Sequence, residues 1–218
     1  MTLDVRTFTV GAFRENCYLV RHPHASEALL IDPGDEAERL IEAITALEVT
    51  VPAILITHTH IDHIAAVAEL ARHTAAPVYC PSIERAVLAD IDASVKDFGL
   101  GGFASYEADE LLSGGEHLTL AGLEIDVHFT PGHSPGHLTF ALPEQGVLLD
   151  GDVLFRGSVG RVDLPGGDWA TLLASISGLL DAYPPQTRVH PGHMSITTLG
   201  RERETNPFLS DLRAPAPR

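Results

Sequence analysis

The sequence predicts an α/β sandwich, two sheets packed face to face with helices outside, and three observations predict it. Short apolar runs of strand character come in groups, three before residue 32 and three more between Leu123 and Leu149, rather than in single alternation with helices. Stretches with apolar residues at helical spacing lie between and after these groups. No break in composition divides the 218 residues, of which 44% are hydrophobic and 20% charged, so one domain is expected over 1–218, with a tail that frays from about residue 213 where Pro215 and Pro217 follow.

Taken in order, Thr7-Phe8-Thr9-Val10, Cys17 to Val20 and Ala28 to Ile31 read as strands of a meander, separated by turns at Gly11, Asn16 and the Pro23/Ser26 region. Asp35 to Leu47 carries Ala37, Leu40, Ile41, Ile44 and Leu47 at helical spacing, with Asp35 and Glu36 placed to favour its N-terminus. Ala53 to Ile56 reads as a buried strand and Ile64 to Leu70 as a helix. A strand at Pro77 to Cys80 and a helix at Ser82 to Ala89 follow. Asp90 to Gly115, with five glycines, reads as a long loop. His117 to Leu120 and Leu123 to Phe129 form a hairpin around Ala121-Gly122, His137 to Leu142 and Val147 to Leu149 two further strands. Asp168 is placed to cap a helix from Trp169 to Ala182, which Pro184-Pro185 ends before a last strand at Arg188 to His190.

Composition excludes some partners. A formal net charge of −16 opposes nonspecific binding to nucleic acid or to an anionic membrane, so neither is expected. Cys17 and Cys80 lie in apolar strand contexts and are expected as buried free thiols. Met1 to Arg6 lacks the basic and apolar start of a signal peptide, and no apolar segment approaches the ~20 residues that span a bilayer. A cytoplasmic location is the expectation.

The chemistry is concentrated at strand ends. Thr57-His58-Thr59-His60-Ile61-Asp62-His63 follows the run Ala53 to Ile56, and three imidazoles with a carboxylate in six positions need a common partner if they are buried. A divalent cation satisfies all of them; imidazole and carboxylate suit zinc, iron or manganese, and the absence of thiolates argues against a structural zinc site. Three other runs end alike, in Pro131-Gly132-His133, Asp150-Gly151-Asp152 and Pro191-Gly192-His193, and their glycines let the backbone come close to a metal. Seven ligands divide into His58, His60 and His133 for a first metal, Asp62, His63 and His193 for a second, and Asp152 between them. Two such cations roughly 3.5–4 Å apart share a water and lower its pKa towards ~7, which is hydrolytic chemistry.

These residues resemble the metallo-β-lactamase superfamily, whose His-x-His-x-Asp-His signature reads His58 to His63 here. Asn16-Cys17-Tyr18-Leu19, Asp32-Pro33-Gly34, Pro131 to His137, Gly151-Asp152-Val153-Leu154-Phe155, Gly160 to Asp168 and Asn206-Pro207-Phe208-Leu209 are most similar to short, single-domain relatives of glyoxalase II. The resemblance implies a four-layer αββα sandwich, two divalent metals (zinc, with iron or manganese as alternatives), a catalytic role for Asp62, and hydrolysis of a small-molecule thioester by a metal-bridging hydroxide. The rival it leaves open is a mononuclear iron persulfide dioxygenase using His58, His133 and Asp152, which the Gly160-Arg161-Val162-Asp163 segment also resembles. Two departures stand out: the C-terminal helical domain of full-length glyoxalase II is not expected, and the usual Gly-His-Gly-Pro reads Gly192-His193-Met194-Ser195. Arg161 is the candidate clamp for a substrate carboxylate, with Asp163 and Asp168 as competing ion-pair partners. His137, His190 and Asp32 are either supports of ligands or structural.

Overall fold

The computed structural model describes residues 3–213. Its first half gives β1 (Asp4–Val10), β2 (Glu15–Arg21), β3 (Leu29–Ile31), helix α1 (Ala37–Ala46), β4 (Ile54–Leu55), helices α2 (Ile61–Ile64) and α3 (Val67–Thr74), β5 (Val78–Pro81), helices α4 (Arg85–Ala89) and α5 (Ile91–Val95), and β6 (Glu110–Leu112). The six strands form one sheet in sequence order, antiparallel as far as β3 and parallel from β3 to β6. The second half adds β7 (His117–Leu120), β8 (Leu123–Phe129), β9 (Leu138–Leu142), β10 (Val147–Gly151), a small hairpin of β11 (Leu154–Phe155) and β12 (Ser158–Val159), helix α6 (Trp169–Ala182), β13 (Arg188–Pro191), β14 (Thr197–Thr198), and helices α7 (Leu199–Thr205) and α8 (Ser210–Arg213). Its sheet is ordered β14-β13-β10-β9-β8-β7, with β10 and β13 parallel.

Alternation along the strands separates three apolar clusters, which define four layers. Tyr18, Val20, Leu29, Ile31 and Leu55 meet Ile125, Val127, Leu138, Phe140 and Leu149 between the sheets. Their neighbours Cys17, Leu19, Leu30 and Ile54 face outward and bury Leu40 and Ile44 of α1 and Val67 and Leu70 of α3. Ala141, Leu148 and Val189 do the same on the far side, beneath Leu172 and Ile176 of α6 and Leu199 of α7. Phe140, in the middle layer, is the largest of the fully buried side chains there. Phe140→Ala is expected to cost about 3–5 kcal/mol in denaturant unfolding; a loss under ~1 kcal/mol would mean that the two sheets are not packed on it.

The structure departs from the sequence reading in several places, and it adds β14, α7 and α8 after the strand at Arg188 to His190, the last element expected from sequence. The helix after β4 is two pieces, α2 and α3, so Asp62 and His63 lie inside a helical turn rather than in the connection. The helix expected from Ser82 opens as a 3-10 turn, Ser82–Glu84. The stretch 90–115 is not all loop: Asp90 caps α5 by accepting Ala93 N–H, Ile91 and Val95 bury a single apolar pair, and β6 adds to β5. These pieces are only three to five residues long, too short for periodicity to register among the glycines. The β11–β12 hairpin, with two residues in each strand, is equally silent. The tail expected to fray lies, beyond Arg213, outside the described residues. Among those described, no helix is long and apolar enough to cross a membrane.

Candidate metal centre

Topology decides which loops meet. Strands β3, β4 and β5 are parallel, so Asp32, the His58–His63 segment and the turn after β5 leave the first sheet at one edge. In the second sheet β9 runs antiparallel to both β8 and β10, and β13 is parallel to β10, so the loops of His133, Asp152 and His193 also leave at a common edge. Leu138 N–H donates to Thr57 O across the two sheets at 2.8 Å, which brings those edges together. Strands β2 and β9 start there, placing Glu15, Asn16 and His137 beside the ligand loops.

Around His58 the protons are fixed by neighbours. Thr57 Oγ1 donates to Asp32 Oδ2 at 2.6 Å, so it accepts from His58 Nδ1 at 3.1 Å, leaving His58 Nε2 with a lone pair. His133 Nδ1 donates to the Arg161 carbonyl at 2.7 Å, so its Nε2 is likewise a lone pair. His60 Nδ1 stands between them, 3.1 Å from His58 Nε2 and 2.8 Å from His133 Nε2. These separations are a little shorter than the edge of a tetrahedron, about 3.3 Å, around a cation with bonds of about 2.0–2.1 Å, so the three ring nitrogens are grouped closely enough to share one. Burial holds His58 and His133 below the usual imidazole range and pushes His60 down to about 4, so all three are neutral donors at pH 7.

The second group is more acidic. His193 Nε2 lies 3.2 Å from Asp62 Oδ2, and His63 Nδ1 donates to Asp32 Oδ2 at 3.1 Å, so that His63 Nε2 faces the centre. Between the groups stands Asp152, with Oδ2 3.4 Å from His133 Nε2 and 3.5 Å from His193 Nε2, and Oδ1 3.5 Å from His63 Nε2. Burial opposes charge on Asp152, yet His63, His133 and His193 around it hold its carboxyl well below the usual range. Burial likewise opposes charge on His63, and the carboxylates of Asp152 and Asp32 outweigh it, raising that imidazole. His63 Nε2 and Asp152 Oδ1 are buried without a hydrogen-bond partner, and unpaired buried polar atoms of this kind fit a cation bound between them. The clustered side chains offer only nitrogen and oxygen, and Cys17 and Cys80 are buried free thiols in the outer core. The donor set therefore fits zinc, iron or manganese. His60, Asp62 and His193 are partly exposed while His58 and His63 are fully buried, so the centre opens to solvent on the Asp62–His193 side.

Supports explain other motif residues. His137 Nε2 accepts Asp152 N–H at 3.1 Å and its Nδ1 pairs with Thr130 Oγ1, so it orients the central carboxylate. His190, left open with it by sequence, makes no such bond: both ring nitrogens lack partners and the ring stands edge-on to Tyr18. Asn16 Nδ2 donates to Pro191 O and Met194 O, and Tyr18 Oη to Pro191 O at 2.7 Å, which ties the His193 loop to β2. A Cβ on Gly192 would stand 2.3 Å from Asp152 Oδ1 and 2.6 Å from His63 Cε1, so close approach demands glycine there. The Arg161 guanidinium is exposed and forks onto Asp163 at 2.6 and 2.7 Å; it is its backbone carbonyl that serves His133. The sequence reading missed Asn16, Tyr18 and Thr57 as supports: the first two act on a loop more than 170 residues away, and Thr57, though beside His58, is set by Asp32 25 residues before it.

The metallo-β-lactamase superfamily model matches residues 10–193. The chain is 35% identical over 210 residues to the hydroxyacylglutathione hydrolase GloC of Haemophilus influenzae, covering 95% of this chain and 99% of that protein. It is similar to the crystal structure of the BLEG-1 B3 metallo-β-lactamase (TM-score 0.90, 38% identity, 95% of this chain and 100% of that one) and to that of TTHA1623 in a di-iron-bound form (TM-score 0.83, 43% identity, 94% and 100%). With the four layers, the strand-end His/Asp loops and a family match over most of its length, the chain belongs to the metallo-β-lactamase superfamily.

Proposed function

We propose that the protein is a binuclear metallohydrolase that cleaves the thioester of a small thiol, of hydroxyacylglutathione type, in the cytoplasm. The observation that carries the binuclear reading is the position of Asp152, whose two oxygens face different imidazoles of two complete three-residue groups, His58, His60 and His133 on one side and Asp62, His63 and His193 on the other. A persulfide dioxygenase would leave the second group without employment. The thioester is supported by GloC, a relative of nearly equal length, and the preferred metal is zinc, with iron supported by the di-iron TTHA1623.

When bound, the metals supply Lewis acidity, for an activated water and for a polarised carbonyl. The protein's part is placement. Asp32 through Thr57, and the Arg161 carbonyl, hold His58 and His133 in the tautomer that presents Nε2, so no proton has to leave either ring before binding. Asp62 lies on the solvent-facing side, where it is proposed to orient the reacting water as well as to bind metal. Substrate enters from that side, and Arg161 engages a substrate carboxylate by exchanging Asp163 for it, an exchange that costs little in a fully exposed pair.

Metal-loaded protein is expected to release free thiol from S-lactoylglutathione and to carry about two equivalents of metal per chain. Turnover confined to a β-lactam, or oxygen uptake on glutathione persulfide with a single iron, would overturn the assignment.

A further inference from the structure

The turn after β5 carries a carboxylate that neither group of ligands uses. Glu84 closes the 3-10 turn Ser82–Glu84 and is 5% exposed. Its two oxygens accept four hydrogen bonds. Oε2 takes Thr59 N–H at 2.7 Å and Thr59 Oγ1 at 2.9 Å, while Oε1 takes Ser134 Oγ at 2.5 Å and Gly136 N–H at 2.7 Å. Thr59 stands between His58 and His60, and Ser134 follows His133. One side chain thus holds, a single residue from each of three imidazoles, two loops that leave different sheets.

Gly136 points the same way. Its backbone is not in the left-handed region, so no turn requires glycine there, yet a Cβ on it would lie 2.7 Å from Glu84 Cγ. The loop has closed onto the carboxyl side chain as far as a glycine allows. The separation this contact controls is narrow: His60 Nδ1 sits 2.8 Å from His133 Nε2 across the two loops, and a metal site tolerates displacements of only about 0.5 Å.

We propose that Glu84 is a positioning residue for the first metal, setting the distance of His58 and His60 from His133, and so the affinity of that position, without touching metal or substrate. This rests on the reading that those three histidines hold a metal. Glu84→Gln keeps the size but turns an amide NH2 towards one of the two backbone N–H donors, so one loop is released. Glu84→Asp keeps the carboxylate but is one methylene shorter and reaches one loop only. Ser134→Ala removes one of the four bonds and leaves the rest, and Gly136→Ala displaces the side chain without altering it.

The test strips the protein of metal and titrates it with Zn²⁺ against a chromophoric chelator, with His133→Ala and His193→Ala identifying which binding phase belongs to which group. Glu84→Gln, Glu84→Asp and Gly136→Ala are expected to weaken the first phase about 10–100-fold and leave the second unchanged, with a smaller fall in Ser134→Ala. Should the Glu84 variants fail to fold, Ser134→Ala and Gly136→Ala decide the matter. A first phase as tight as wild type in every folded variant, or both phases weakened in equal proportion with a lowered Tm of the metal-free protein, overturns the positioning role while the functional reading stands. A wild-type protein that binds no Zn²⁺ overturns both.

Discussion

Asp152→Asn is expected to give a folded protein with metal content well below two equivalents and thioester hydrolysis reduced by at least ~100-fold. The carboxylate is ringed by His63, His133 and His193 at 3.4 to 3.5 Å: Oδ2 faces His133 of the first group and His193 of the second, and Oδ1 faces His63 of the second. Two dications at close range repel strongly in a partly desolvated pocket, and one shared negative charge offsets part of that repulsion. Asparagine preserves size and one acceptor oxygen but removes the charge, and its NH2 would face an imidazole lone pair or a cation. The backbone is little affected, because Asp152 N–H continues to donate to His137 Nε2 and Gly192 still packs against the side chain. Metal analysis with thioester kinetics checks the expectation. Two metals and near-normal turnover would remove Asp152 from between them, and unfolding of the variant would mean that metals hold the sandwich together.

How far the sequence reaches is set by the range of the interactions involved. Strands with a strong apolar run, such as Leu123 to Phe129 with its hairpin partner His117 to Leu120, are read correctly to the residue because alternation and turn chemistry are local. The α6 helix is equally legible, since Asp168 accepts Thr171 N–H where a cap is expected. The convergence of the seven His and Asp side chains is legible because each follows a buried run, a pattern that parallel strands turn into a shared edge. The same pattern holds for Pro77 to Glu84, where an apolar strand is followed by a carboxylate, so the position of Glu84 was open to the same reading. Its role was not, because its partners Thr59, Ser134 and Gly136 lie 25, 50 and 52 residues away. Arg161 shows the opposite limit. Sequence singles out its side chain, whereas its contribution to the centre runs through a backbone carbonyl, which no residue type announces.

His133→Ala is expected to lose one metal equivalent, not two, and to lower hydrolysis by more than the ~100-fold typical of changes to a ligand's support. The substitution removes the Nε2 that stands 2.8 Å from His60 Nδ1, leaving His58 and His60 on one loop with nothing opposite them from the second sheet. Three ligands define that position, and two imidazoles cannot compete with water for a dication as three can. Asp62, His63 and His193 are untouched, as His63 remains fixed through Nδ1 to Asp32 and the His193 loop through Asn16 and Tyr18. The second equivalent therefore stays. Stability should fall less than activity: the ring is buried, but the one backbone group its loss frees is the Arg161 carbonyl, on a loop whose side chain is already exposed, and its other neighbours, His60 and Asp152, belong to the centre itself. His190→Ala is the matched comparison, because His190 is as buried as His133, yet neither of its nitrogens has a partner. It should keep both metals and most of the turnover. Equal metal content and equal rates in the two variants would separate His133 from the centre and require another ligand for the first position.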